Sequence, residues 1–155
     1  MKLSQFAKRS VLIFLVGVSM LALTACGDTK YVDALNTNMD ALNSAIPPIN
    51  QQIDKLSQDN TLLGDKTWQA ATTTAVDNLD AAGKAFANLP PAPDRLKDVD
   101  ALVKELAFEI NSFSDTFRTM IANQDINQLD TANSHMTKIN DLMTKMNAAI
   151  DAANK

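Results

Sequence analysis

LKDVDALVKELAFEINSFSDTFRTM, residues 96–120, decides the fold. Leu96, Val103, Ile110 and Phe117 occupy one heptad position, and Val99, Leu106, Phe113 and Met120 occupy its partner three residues on. An apolar seam of that period is the signature of a helix that packs lengthwise against other helices. Three further stretches repeat the pattern. Val32, Met39, Ile46 and Ile53 run beside Leu35, Leu42, Ile49 and Leu56. Thr72, Leu79 and Phe86 run beside Trp68, Ala75, Ala82 and Leu89. Leu129, Met136, Met143 and Ile150 run beside Ala132, Ile139, Met146 and Ala153. Four seams predict an all-α, antiparallel, up-down-up-down four-helix bundle.

The breaks between the runs agree. Gly64-Asp65 is read as the end of the first helix, with Asp65 as N-cap of the second. Leu89-Pro90-Pro91-Ala92-Pro93 ends the second, and Pro93 or Asp94 opens the third. Asn123-Gln124-Asp125 makes a short turn with Asp125 capping the fourth helix. Connections this short make neighbours antiparallel. Pro47-Pro48 is the one conflict, because the heptad phase runs through it. A proline inside a helix removes a hydrogen bond and crowds the preceding turn, at about 3 kcal/mol. The expectation is a first helix kinked near residues 43–46, or two collinear helices in its place.

Composition narrows the function. Sixteen aspartates against two glutamates, four glycines and few aromatics leave little β signal. Ahead of the seams, Lys2, Lys8 and Arg9 form a basic head, and Val11 to Leu23 form a 13-residue apolar run. That is the layout of a secretory signal, and it is shorter than the ~20 residues a membrane-spanning helix needs. The run Leu23-Thr24-Ala25-Cys26 follows, and Cys26 is the only cysteine. It resembles the lipobox of bacterial lipoproteins. The resemblance implies a diacylglyceryl group on the Cys26 thiol, cleavage between Ala25 and Cys26, and further acylation by a fatty acid such as palmitate.

On that reading residues 1–25 are a lipoprotein signal peptide and 26–29 a lipidated cysteine with a very short tether. Residues 30–155 are the four-helix bundle. The leader takes three of the 14 basic residues and none of the 18 acidic ones, leaving 11 against 18, a mature charge of −7. An acidic chain argues against nucleic acid and against an electrostatic grip on anionic headgroups. The bilayer partner is then reached through acylated Cys26. The expected location is extracytoplasmic, anchored to a bacterial membrane. Gly27, where the enterobacterial type of lipoprotein carries aspartate as a retention signal, implies the periplasmic face of the outer membrane if there are two membranes.

Catalytic patterns are absent from the sequence. There is one histidine, His135, without a glutamate three residues before it, so the paired Glu-x-x-His motifs of di-iron bundles cannot form. Glu105 and Glu109 share one helix face and read as a solvated pair. His135 precedes seam residue Met136 and reads as a boundary histidine, with no acid on its own helix spaced to orient it. No phosphate-binding glycine loop is present. The reading is therefore a non-enzymatic protein with no catalytic residue, no metal site and no cofactor.

One likeness bears on a cofactor. Asn38-Met39-Asp40-Ala41-Leu42-Asn43 looks like the first-helix stretch of the small periplasmic four-helix b-type cytochrome, whose methionine ligates haem, and the Pro-rich link is similar too. The resemblance implies a histidine near Thr144 as second ligand, and none is there. A haem held by Met39 with Met143 or Met146 is the rival reading, a carrier of haem or a small apolar ligand. Core filling by flexible methionines accounts for the same residues. The chain from Trp68 to Ala153 is also similar to small helical-bundle lipoproteins of bacteria, which implies fold and location without a reaction. Phe108 points away from the third seam, with Leu102 and Ile121 on its flanks, and marks a candidate patch for an envelope protein partner.

Overall fold

The computed structural model describes residues 29–154. The expected signal segment, residues 1–25, and the expected lipidation and cleavage positions Ala25 and Cys26 lie outside them. Four helices follow in chain order: α1 (Thr29–Gln58), α2 (Lys66–Ala87), α3 (Lys97–Asn123) and α4 (Gln128–Ala153). Among the described residues there is no strand. Short connections reverse the chain each time, and α1 with α2, α2 with α3 and α3 with α4 make the closest approaches. The result is the expected four-helix bundle. No helix among the described residues is long and apolar enough to cross a membrane.

Each seam faces one continuous core. Every seam residue named for α1 and α3 is buried, and so are those of α2 from Trp68 to Phe86. In α4 only the terminal pair, Leu129 and Ala153, is half-buried. Phe113 and Phe117 stack at successive turns with ring centroids 5.0 Å apart. Smaller side chains let α2 come close to its neighbours. At Gly83 the approach leaves no room for a side chain: a Cβ there would lie 2.7 Å from Ile110 Cγ2 and 2.5 Å from Asn111 Oδ1. This glycine is a packing requirement, not a turn.

The boundaries hold with two corrections. Asp65 caps α2 by accepting the Trp68 N–H at 2.7 Å. A 3-10 turn, Asp94–Leu96, opens into α3 behind Pro93. After α3, Gln124 takes the left-handed conformation (φ 51°), and the Asp125 N–H closes back on the Met120 carbonyl at 3.1 Å. Asp125 accepts the Asn127 N–H at 3.1 Å, so it caps the turn that leads into α4 rather than α4's own first residues. The first helix, however, ends at Gln58 and not at Gly64. Asp59 Oδ1 takes both the Thr61 N–H and the Thr61 hydroxyl, and residues Asn60–Gly64 wind into a 3-10 turn. An Asx-type bond offers the backbone an alternative to the helical ladder, and here it wins.

Pro47 and Pro48 sit within α1, which continues through them as one helix, so the pair of collinear helices is not what forms. Both rings are exposed. The carbonyls they leave without a donor belong to Asn43 and Ser44 on the half-buried and exposed faces, where water can serve them. α1 also carries two buried oxygens without a hydrogen-bond partner, Asn50 Oδ1 and Gln52 Oε1. Its tie to α3 is the Tyr31 hydroxyl, which donates to Asp100 Oδ1 at 3.2 Å. Burial, then the Asp100 charge, pushes the Tyr31 phenol well above its ordinary range.

Two outcomes follow from this packing. Gly83→Ala, which in an open helix would gain about 0.5–1 kcal/mol, should instead destabilise by about 1–3 kcal/mol because Ile110 is branched and cannot yield freely. Urea unfolding measures it, and a stabilised variant would refute the close approach. Gln52→Met should leave stability unchanged or raise it by about 1 kcal/mol, since it removes a buried polar atom with no partner. A loss above that size in the same assay would show that Gln52 is satisfied.

Candidate functional site

Glu109 and His135 bring a buried carboxylate and the one histidine of the sequence together. Glu109 lies one position before Ile110 in the α3 seam, and His135 one position before Met136 in the α4 seam. In antiparallel neighbours these equivalent flanks face each other, so the two side chains meet across the α3–α4 boundary. His135 Nδ1 lies 2.6 Å from Glu109 Oε2. Lys138, one turn along α4 from His135, donates from Nζ to Oε1 at 3.3 Å. Glu109 as a residue is only 8% exposed. Burial by itself would raise the Glu109 carboxyl, but hydrogen bonds and positive charge from His135 and Lys138 outweigh it and hold it below its ordinary value.

This corrects the reading of the two glutamates as a solvated face. Glu105 is exposed, whereas Glu109 is buried and paired. The boundary placement of His135 holds, with its side chain 18% exposed. Its orienting acid comes from another helix, which spacing along α4 could not reveal. The common flank position of Glu109 and His135 was the signal that could have linked them.

Above the pair lies a groove of about 520 Å³ between α3 and α4. Phe108 and Leu142 supply its apolar surface, and Lys104, Lys138 and Lys145 surround them. Phe108 is the exposed large hydrophobic of the described chain, at 66%. Leu102 and Ile121 turn partly into the core instead. A second polar cluster ties α2 to α3: Arg118 Nη2 reaches Asp77 and Asp80, both at 2.8 Å. Burial would raise the Asp80 carboxyl, yet hydrogen bonds from Lys84 and Arg118 hold it low. This cluster borders no cavity described here and reads as a structural clamp.

Met39, Met143 and Met146 are buried at 4%, 2% and 1% exposure, all within the core and none on the groove. Thr144, where the cytochrome-like pattern needs histidine, is exposed. Among the described residues no group of three His, Cys, Asp or Glu side chains is placed to hold a metal ion.

The Glu109 cluster makes a pH prediction. Because the folded carboxyl is held below the ordinary value of 4.5, the unfolded chain binds its proton first as pH falls. The stability it contributes is complete above about pH 4.5 and is lost as pH drops through the folded value. Glu109→Gln should cost about 1.5–3 kcal/mol at pH 7 and should flatten the loss of stability as pH falls below the ordinary value of 4.5. Urea unfolding across that range checks both; parallel pH profiles for variant and wild type would contradict the assignment.

Comparison with protein families, curated proteins and solved structures finds no match for this chain.

Proposed function

We propose that the protein is a lipid-anchored lipoprotein of the bacterial cell envelope whose bundle binds or scaffolds and does not catalyse. The observation that carries this is Cys26, the sole cysteine, placed at the end of Leu23-Thr24-Ala25-Cys26 behind a basic head and a 13-residue apolar run. A lone free thiol in an exported chain would be exposed to oxidation, and acylation removes it from that chemistry. One or two acyl chains, at ~0.8 kcal/mol per buried CH₂, supply the attachment. The bundle supports the reading in a second way. α1 begins at Thr29, so only two residues separate it from Cys26, and the bundle is held close to its membrane.

Binding is favoured over catalysis by the groove beside Phe108, an apolar surface rimmed by charge with no nucleophile beside its Glu109–His135 pair. It is favoured over haem carriage because the three methionines that would ligate are packed as core.

Cys26→Ser should abolish incorporation of a fatty-acid analogue in metabolic labelling and leave a precursor that retains residues 1–25. Labelling of the variant at the wild-type level would end the lipoprotein reading.

A further inference from the structure

We propose that the α3–α4 groove is a self-association surface that takes a second copy of this chain about a two-fold axis. Two features of the patch point to a like partner. It carries a knob and a hole side by side: Phe108 projects at 66% exposure next to the groove whose wall is Leu142 and the lysine stems. A two-fold axis places the knob of each copy over the hole of the other, which is what an isologous contact requires.

The charges are the second feature. Lys104, Lys138 and Lys145 are matched in number by Glu105, Glu109 and Asp141. The patch is therefore neutral, and the chain's net charge of −4 lies wholly outside it. Elsewhere two copies repel; here they approach without penalty. Part of the set is already internally paired, Lys138 with Glu109 and Lys104 with Asp100 at 2.7 Å. Lys145, Glu105 and Asp141 have no ion-pair partner among the described residues and are exposed, so they remain to pair between copies. An anionic lipid surface or an acidic partner would instead call for a net positive patch. The groove is small for a permanent interface, so the association is concentration-dependent and weak in solution. This inference does not rest on the lipid anchor, although confinement to a bilayer would raise the local concentration.

The test mixes full-length chain of natural isotope content with full-length ¹⁵N-labelled chain in detergent micelles. A zero-length carbodiimide reagent then joins lysines to carboxylates, and mass spectrometry reads light-to-heavy cross-links. The expected products join Lys145 of one copy to Glu105 or Asp141 of the other. Phe108→Ser should reduce them at least tenfold, and Phe108→Leu should restore much of the yield. Phe108 is exposed, so both variants should keep the wild-type urea midpoint, and that measurement shows they are folded. Absence of light-to-heavy products at these residues over a concentration series overturns the proposal. So does a yield unchanged in Phe108→Ser. Loss of co-sedimentation with phosphatidylglycerol vesicles on Phe108→Ser, without any light-to-heavy product, would assign the groove to a lipid surface and also overturn it.

Discussion

Seven apolar side chains of α3, from Val99 to Met120, together with Leu96 just before it, are withdrawn from water to 1% exposure or less, and the other three helices are arranged by what covers them. Burying a side chain of this size contributes roughly 1.5–3 kcal/mol, so the seam alone outweighs any polar contact in the bundle. α3 also carries the polar ties to every other helix. Asp100 takes the Tyr31 hydroxyl of α1, Arg118 clamps Asp77 and Asp80 of α2, and Glu109 binds His135 and Lys138 of α4. Burial drives the association, while the ties are directional and choose the neighbour and its register. The Glu109 tie is the sharpest case: without His135 and Lys138 its buried carboxylate has no partner, which penalises slipped or exchanged arrangements.

The backbone sets a second condition. Gly83 lets α2 approach Ile110 and Asn111 more closely than any side chain would allow. Close approach there holds Asp77 and Asp80 within reach of Arg118, so the absence of a Cβ and the ion-pair clamp belong to one contact. α1 is held differently. It accepts two prolines on its outer face and two unpartnered buried oxygens, yet its seam from Val32 to Leu56 remains buried throughout. Apolar burial there tolerates defects in hydrogen bonding because the seam residues sit on the opposite face from the rings.

The seams, the caps at Asp65 and Pro93 and the outward position of Phe108 were legible in the sequence because each depends on residues within one or two turns. The end of α1 was not. Gly64 is a strong helix terminator, but Asp59 captures Thr61 five residues earlier, and a local side-chain bond stops the ladder first. Glu109 and His135 were read separately for a related reason. They lie 26 residues apart, and their pairing depends on which flanks the antiparallel packing turns toward each other. Gly83 carries no local signal in the sequence; only the position of Ile110 gives it a purpose.

The state of Glu109 bears on what the groove does. A carboxyl that serves as a general acid near neutral pH needs its pKa raised, by burial without compensation or by a neighbouring negative charge. Here burial is present, but the hydrogen bonds with His135 and Lys138 engage both carboxylate oxygens and move the group the other way. It stays ionised and occupied at neutral pH, a poor proton donor and a poor base. The same arrangement ties His135 and Lys138 to α3, and since Glu109 and Lys138 line the groove, its wall is held by bonds between the two helices. A wall held in this way beside a projecting Phe108 suits recognition, where ordering the surface in advance lowers the entropic cost of contact.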